Sequence, residues 1–187
     1  MRARIAKVET GYAGWCKLLV ATIELPDGRS FRREIEEHGR AAAVLPFDAA
    51  RGTCIVVRQL RAPALYADPQ SDLIEAIAGL TDGEDPALAA QREAMEEAGL
   101  RLASLERIAT AWSMPGISTE RMDLFLAEYR ETDRVAAGGG LADEHEDIEV
   151  IEMPLRDLAA TIEAGREMDM KLLALLQTLR LKRAELF

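Results

Sequence analysis

The chain has 187 residues, of which 49% are hydrophobic, and it carries a formal net charge of −10 at pH 7. This length suits one compact domain with a small appended subdomain. The acidic charge excludes nucleic acid as an expected partner, because such binding depends on cations that neutralise phosphates. A small phosphate ligand stays possible where local basic side chains or a metal ion offset the repulsion.

The cysteines and the apolar runs point to a reducing, aqueous compartment. Cys16 and Cys54 are the only cysteines, and two widely spaced cysteines make neither a disulfide framework nor a zinc site. We expect both to be free thiols. The first residues, MRARIAKVETGY, lack the pattern of a signal peptide, and no window approaches 18 uninterrupted apolar residues. The sequence therefore predicts a cytoplasmic protein without a membrane segment.

The first third of the chain has the pattern of strands joined by turns. Branched or alternating residues predict strands at 15–25, 30–37, 41–48 and 53–61, and the turn signals PDG and AARG separate some of them. The first forty residues are more polar than those that follow. We expect these forty residues to form a separate β layer.

The segment AGLTDGEDPALAAQREAMEEAGL, at 78–100, contains the signals of a capped helix. Asp85 is suited to the N-cap and Pro86 to the first helical position. Gly99 is suited to the position just after the last helical residue, where a left-handed conformation is common. These signals predict a helix over 86–98.

The rest of the chain mixes strands and helices without regular alternation. The predicted elements are strands at 101–112, 122–130 and 148–155, a loop that contains three successive glycines at 138–140, and helices at 154–165 and 169–186. The leucines of the last helix are expected to lie in the core. This order predicts a mixed α/β arrangement rather than repeated βαβ units.

Two carboxylates on the predicted helix have the spacing of a cation site. Glu93 and Glu97 lie one helical turn apart, with Cβ atoms about 5–6 Å from each other. Like charges at this spacing destabilise a helix by roughly 0.2–0.5 kcal/mol per pair, and Arg92 offsets only part of that. A divalent cation would remove the repulsion, and Mg²⁺ prefers oxygen ligands. The alternative interpretation is an acidic helix face in solvent.

The helical wheel divides this helix into an apolar and a charged arc. It places Arg92, Glu93, Glu96 and Glu97 on the charged arc, with Glu93 and Glu97 at its margin. The apolar arc, expected to face the core, contains Ala87, Leu88, Ala90, Ala94, Met95 and Ala98.

REAMEEAGL, at 92–100, resembles the second half of the Nudix box, G-x5-E-x7-R-E-U-x-E-E-x-G-U, in which U is aliphatic. The first half departs from that pattern, because only four residues separate Gly79 from Glu84. Either Glu84 or Asp85 takes the place of the first glutamate of the box. Ala94 is a small residue for a U position.

Further segments extend the resemblance to one branch of the family. RQLR, LIEAIAGL, MPGISTE, AGGG followed by EDIEV, and MDMK are together similar to the GDP-mannose pyrophosphatase branch, which is close to the ADP-ribose pyrophosphatases. The shortened turn after Gly79 also resembles that branch. The resemblance covers residues 55 to 180 well and the N-terminal strands weakly.

The resemblance implies a fold and a domain organisation. The expected fold is an α/β class Nudix α/β/α sandwich around a mixed sheet, with a small N-terminal β subdomain. The subdomain would comprise residues 1–40 and be exchanged across a homodimer. Residues 41–187 would form the hydrolase domain.

The resemblance also implies a set of metal ligands and catalytic residues. The carbonyl of Ala78 and the side chains of Glu93, Glu97 and Glu146 match ligands of Mg²⁺, with Mn²⁺ as an alternative ion. Arg92 and Glu96 would brace the helix, and Glu146 would serve as ligand or base for the attacking water. Glu144 is the alternative to Glu146, because the loop is two residues longer than in relatives.

Residues implied to bind the substrate are spread along the chain: Trp15, Arg32, Arg33, Glu34, Arg61, Gly79, Leu80, Glu120 and Lys171. Each of these residues also has an interpretation without a substrate role. Trp15 could be a core residue, residues 32–34 could belong to a half-exposed strand, and Arg61 and Lys171 could be ordinary surface cations. His38 and His145 are expected at the surface, without a ligand role.

The implied activity is Mg²⁺-dependent hydrolysis of the diphosphate of a nucleoside diphosphate sugar. GDP-mannose, which would give GMP and mannose 1-phosphate, is the leading substrate. ADP-ribose, which would give AMP and ribose 5-phosphate, is the alternative substrate. A non-catalytic domain that senses a nucleotide sugar is a second alternative, although such domains typically lose box glutamates and this chain retains them.

Overall fold

The computed structural model describes residues 2–69, 73–141 and 147–187. The predictions for Glu144, His145 and Glu146 lie outside the described residues. The chain divides into two compact units. The first unit contains Met1–Arg40 and Ala111–Met122, and the second contains Ala41–Thr110 and Asp123–Phe187.

The first unit contains a three-stranded antiparallel sheet in the order β1-β2-β3. Its strands are β1 (Arg4–Ala13), β2 (Lys17–Glu24) and β3 (Ser30–Glu37). Every residue of β1 is exposed, whereas most of β2 is partly buried. The polar first forty residues thus form a β layer of their own, as the sequence predicts.

The segment that contains MPGISTE is attached to the end of β3 within the first unit. The backbone N–H of Glu36 donates to the carbonyl of Ile117 at 2.8 Å, and the N–H of Thr119 donates to the carbonyl of Glu36 at 2.9 Å. The hydroxyl of Ser118 accepts from the N–H of Glu120 at 3.1 Å. These bonds fix the backbone on which Glu120 is carried.

A six-stranded sheet has the order β7-β8-β4-β5-β9, with β6 paired to β4. Its strands are β4 (Arg40–Asp48), β5 (Thr53–Arg58), β6 (Ile77–Leu80), β7 (Glu106–Trp112), β8 (Arg121–Glu128) and β9 (Glu149–Pro154). β4 pairs antiparallel with both β5 and β6, and β5 pairs antiparallel with β9.

The pairing of β8 with β4 makes this sheet mixed. The N–H of Arg121 donates to the carbonyl of Gly39, and that of Tyr129 donates to the carbonyl of Phe47. The sequence offset is the same at both ends of the strands, so β8 and β4 run parallel. Strands and helices with a mixed sheet and a small β layer confirm the predicted α/β fold class.

Four α-helices complete the described chain: α1 (Ala62–Ala67), α2 (Pro86–Ala98), α3 (Leu155–Glu163) and α4 (Met170–Lys182). The structure confirms the predicted bounds of α2 and the existence of α3 and α4. Helix α1 falls outside the predictions because it is only six residues long and buries none of them. Strand β5 ends at Arg58, three residues before the predicted end.

The core lies mostly between β4, β5 and the helices of the second unit. β4 and β5 contain runs of fully buried residues, as strands covered on both faces do. The leucines 172, 175, 176 and 179 of α4 are buried as predicted. The prediction was wrong for Leu181, which is 87% exposed near the end of the helix. Within the described part of the chain, no helix combines the length and apolar character that crossing a membrane would require.

Candidate active site

Helix α2 begins and ends at the residues that the sequence marks. The side chain of Asp85 accepts a hydrogen bond from the N–H of Ala87 at 2.9 Å. Pro86 is the first helical residue, where its missing N–H removes no helical bond. Gly99 closes the helix with a left-handed φ of 66°.

A tight turn returns the chain from β6 into α2. The N–H of Glu84 donates to the carbonyl of Thr81 at 2.7 Å, and Asp82 and Gly83 both have positive φ angles. The reversal brings α2 close against the strand that precedes it. A Cβ added to Gly79 would overlap the carboxylate of Glu93. A Cβ at this position would therefore displace the Glu93 carboxylate from its place beside the Gly79 Cα.

Glu93 and Glu97 are not on a solvated helix face. The side chain of Glu93 is 12% exposed, and Glu97 is 2% exposed. Burial of an ionised carboxylate is costly unless charge or hydrogen bonds compensate it. The alternative of an ordinary acidic face in solvent is thus wrong for these two residues.

The buried face of α2 differs from the predicted apolar arc. Leu88 is 54% exposed, whereas Ala89, Ala90, Ala94, Glu97 and Ala98 are buried. At 100° per residue, Leu88 lies about 180° from Glu97. The predicted apolar arc includes Leu88, but the helix packs on the face that contains Glu97. Glu97 therefore lies within the packed face, not at its margin.

Arg92 connects the charged groups of the turn and the helix. Its Nη1 lies 2.8 Å from a carboxylate oxygen of Glu93 and 2.9 Å from one of Glu96. Its Nη2 donates to the carbonyl of Leu80 at 3.0 Å, and its Nε lies 3.4 Å from Glu84. Burial lowers the pKa of Arg92, but Glu93, Glu96 and Glu84 outweigh it and raise that pKa above its ordinary value.

Glu84 and Asp85, the two candidates for the first glutamate of the box, make different contacts in the shortened turn. Glu84 contacts Arg92, whereas Asp85 caps α2. Each therefore has a distinct structural task, and the ion pair with Arg92 belongs to Glu84.

Arg61 and Lys171, both predicted to bind substrate, meet on one buried carboxylate. Glu75 is 3% exposed. It accepts two hydrogen bonds from Arg61, at 2.7 Å from Nε and 3.0 Å from Nη2, and one from Nζ of Lys171 at 3.2 Å. The side chain of Lys171 is 13% exposed, so Lys171 is not the ordinary surface cation of the alternative interpretation.

Glu75 and Asp169 belong to this cluster but were missed at the level of sequence. Asp169 caps α4 through the N–H groups of Lys171 and Leu172, and its carboxylate also accepts from the N–H of Ala76 at 2.9 Å. The available signals were a lone glutamate in the apolar run LIEAIAGL and an aspartate just before a helix. Neither signal specifies a partner far away in the sequence.

In the first unit, His38 joins two carboxylates and an aromatic ring. Its Nδ1 lies 3.5 Å from Glu36 and its Nε2 lies 3.6 Å from Glu120. Its ring meets that of Trp15 edge-on, with centroids 4.6 Å apart. The side chain of His38 is only 17% exposed, so the prediction of a surface histidine was wrong. His38 follows the end of β3, and the MPGISTE segment lies against it. This contact joins segments that are distant in the sequence.

The remaining predicted substrate residues of the first unit are accessible. Trp15 is 83% exposed, which excludes a core position. Arg32, Arg33 and Glu34 are exposed along β3. The guanidinium of Arg33 lies 4.6 Å from the ring centroid of Phe31, and Arg32 lies 3.6 Å from Glu9.

The glycine segment packs on the C-terminal end of α2. The N–H of Gly139 donates to the carbonyl of Glu97 at 2.8 Å, and that of Gly140 donates to the carbonyl of Glu96 at 3.1 Å. Gly138 has a φ of 74°, and a Cβ there would overlap the carbonyl of Glu97. The segment thus satisfies carbonyls that a helix end leaves without intrahelical partners.

The oxygen donors of this region fit a hard divalent cation. Glu93 and Glu97 supply carboxylates, and Ala78 lies on β6 beside Gly79, against which Glu93 rests. Among the residues that the structure describes, no group of three or more His, Cys, Asp or Glu side chains is arranged as a metal site. Mg²⁺ suits a partial set, because it usually keeps several waters and uses substrate phosphates as ligands.

Comparison with known proteins identifies the family. Residues 37–175 match the NUDIX domain. The chain is 38% identical over 152 residues to GDP-mannose pyrophosphatase of Cronobacter sakazakii, covering 81% of this chain and 78% of that protein. It is 40% identical over 146 residues to GDP-mannose pyrophosphatase of Pectobacterium atrosepticum, covering 78% and 75%.

A solved structure supports the fold over nearly the whole chain. A crystal structure of an ADP compounds hydrolase aligns with a TM-score of 0.74 at 20% identity, covering 99% of this chain and 96% of that one. The chain belongs to the Nudix family and is a Nudix hydrolase.

Gly138→Ala should destabilise the protein more than Gly165→Ala does. Both glycines have left-handed φ angles, but a Cβ at Gly165 meets nothing within 4 Å. Gly165→Ala should therefore cost only the left-handed backbone penalty, roughly 1–2 kcal/mol. Gly138→Ala should cost at least about 1 kcal/mol more because its Cβ overlaps the Glu97 carbonyl. Urea unfolding measures both; equal losses would contradict the packing described for Gly138.

Proposed function

We propose that this Nudix hydrolase cleaves the diphosphate of a nucleoside diphosphate sugar in a Mg²⁺-dependent reaction. The leading substrate is GDP-mannose, with GMP and mannose 1-phosphate as products. The carrying observation is that α2 carries two carboxylates of low exposure, Glu93 at 12% and Glu97 at 2%, and that Glu93 rests against the glycine backbone of β6. Two such carboxylates one helical turn apart favour a cation over a purely structural helix.

The named relatives favour GDP-mannose over ADP-ribose. The two relatives described above are GDP-mannose pyrophosphatases at 38% and 40% identity. The ADP compounds hydrolase is only 20% identical, and it supports the fold alone. ADP-ribose is therefore the rival substrate in the test below, not a second proposal.

We assign the cation to the carbonyl of Ala78 and the carboxylates of Glu93, Glu97 and Glu146. When bound, Mg²⁺ would neutralise phosphate charge and polarise the phosphoryl group. Arg92 and Glu96 would keep α2 in place on the turn, because the Arg92 guanidinium spans the Leu80 carbonyl and the helix carboxylates.

The reaction adds water across the diphosphate. The water oxygen bonds to one phosphorus, the bridging P–O bond breaks, and the electron pair leaves with the second phosphate. Glu146 is proposed as the base that takes the proton from the attacking water. Its assignment follows from aligning EDIEV with the family segment, and Glu144 is the alternative base.

Basic side chains offset the acidic charge of the chain at the substrate. Arg61 and Lys171 are proposed to contact the phosphates or the sugar, beside the backbone of Gly79 and Leu80. Trp15, Arg32, Arg33, Glu34 and Glu120 are proposed to contact the nucleotide sugar, with residues 32–34 reaching across a homodimer. The exposed ring of Trp15 suits stacking on a base. The homodimer, the exchanged subdomain and a cytoplasmic location stay predictions.

A hydrolysis panel tests the substrate. GDP-mannose, ADP-ribose, other nucleotide sugars and dinucleoside polyphosphates are compared at equal concentration with Mg²⁺, and with EDTA as the control. GDP-mannose should have the highest kcat/KM and should yield GMP and mannose 1-phosphate on ion-exchange chromatography.

Two results would contradict the proposal at different levels. A higher kcat/KM for ADP-ribose would show that the substrate assignment is wrong while leaving the reaction class intact. No hydrolysis of any compound with Mg²⁺ or Mn²⁺ would contradict catalysis and favour a sensing domain.

Glu146→Gln should lower kcat far more than Glu144→Gln. A general base contributes roughly 10²–10⁴-fold, so Glu146→Gln should lose at least ~100-fold, whereas Glu144→Gln should stay within severalfold of the wild type. The two variants are matched because both remove one charge from the same loop. Steady-state kinetics that rank them in the opposite order would assign the base to Glu144.

A further inference from the structure

Glu75 stands at the centre of a buried cluster that the roles assigned above do not use. Its carboxylate accepts hydrogen bonds from Nε and Nη2 of Arg61 and from Nζ of Lys171. We propose that Glu75 is a positioning residue that sets Arg61 and Lys171 as a preformed phosphate-binding pair. This inference rests on the proposed function, because it concerns how the same site holds its anionic substrate.

The three groups come from separate parts of the second unit. Arg61 precedes α1, and Lys171 is in the first turn of α4. Glu75 is fixed by its own backbone, which exchanges hydrogen bonds of 2.8 and 3.0 Å with Val57. A rigid carboxylate therefore determines where two long, flexible side chains end. Without it, two like charges would face each other and separate.

Asp169 holds the other side of the pair. Its carboxylate lies 3.3 Å from Nζ of Lys171 and accepts from the backbone N–H of Ala76. The N–H of Asp169 donates to the carbonyl of Ile74 at 3.3 Å. The start of α4 is thus attached to residues 74–76. The same short segment continues into Ala78 and Gly79, so the cation pair and the proposed metal ligands share one backbone.

The geometry leaves one edge of Arg61 for a ligand. The two bonds to Glu75 engage Nε and Nη2, so Nη1 takes no part in that pair. The Arg61 side chain remains 40% exposed, while that of Glu75 is 4% exposed. A planar guanidinium held along one edge presents a fixed direction to a phosphate, which reduces the ordering cost of binding.

The charge of Glu75 opposes its geometric effect, and the geometry should dominate. A carboxylate repels an anionic substrate, so its removal would by itself favour binding. The cluster is balanced, however, with Arg61 and Lys171 against Glu75 and Asp169. The pKa of Glu75 reflects this balance: burial raises that pKa, but Arg61 and Lys171 outweigh burial and lower it.

Glu75→Gln tests the proposal, with Glu152→Gln as the matched control. Glu152 is also a carboxylate in the second unit that is paired with an arginine, at 2.7 Å from Arg51, but no site role is assigned to it. Glu75→Gln should raise KM for GDP-mannose at least ~10-fold and leave kcat within threefold. Glu152→Gln should leave both constants within threefold.

A combined variant separates positioning from a direct role. If Glu75 acts through Arg61 and Lys171, adding Glu75→Gln to a variant that already carries Arg61→Gln and Lys171→Gln should change KM by less than about threefold. Multiplied effects on KM, or a lower kcat with unchanged KM, would overturn the proposal. An equal loss in Glu152→Gln would likewise overturn it, by assigning the effect to general destabilisation.

Binding of GDP, measured by calorimetry in the presence of Mg²⁺, distinguishes this inference from the proposed function. If the wild type hydrolyses no nucleotide sugar, the proposed function fails, while weaker GDP binding by Glu75→Gln than by Glu152→Gln still supports the positioning role. If the wild type hydrolyses GDP-mannose and both variants bind GDP equally well, the positioning role alone fails.

Discussion

The candidate site depends on the ion pairs and the hydrogen bond that the Arg92 guanidinium makes. It joins Glu93 and Glu96 of α2 to Glu84 of the turn and to the Leu80 carbonyl of β6. Without this cation, the carboxylates of the turn and helix would repel each other, most strongly at Glu93, whose side chain is only 12% exposed. Arg92 therefore allows an acidic helix to pack closely on its own preceding strand.

Backbone constraints then fix the position of the acidic helix. The absence of a side chain at Gly79 lets Glu93 approach the strand, and Gly138 lets the glycine segment close over the Glu97 carbonyl. Both glycines act by setting how close a carboxylate-bearing helix comes to a neighbouring backbone.

Sequence alone predicts the local features well. Asp85, Pro86 and Gly99 mark the ends of α2, because capping chemistry is read within a few residues. The helical wheel wrongly places Leu88 on the face toward the core, because an alanine-rich helix has no strong apolar stripe to define its packed face. The sequence cannot show that Glu75 lies between Arg61 and Lys171, since that contact depends on how three distant segments pack.

The central claim is that α2 carries a cation site. The most direct test is a Mn²⁺ titration without nucleotide, in which EPR measures the concentration of free Mn²⁺. The wild type should bind Mn²⁺ saturably, and Glu97→Gln should weaken binding at least tenfold, about 1.4 kcal/mol. The control variant is Glu163→Gln, which changes an exposed glutamate of α3. It should bind Mn²⁺ as tightly as the wild type does. Equal affinity in Glu97→Gln and the wild type would contradict a cation site on α2.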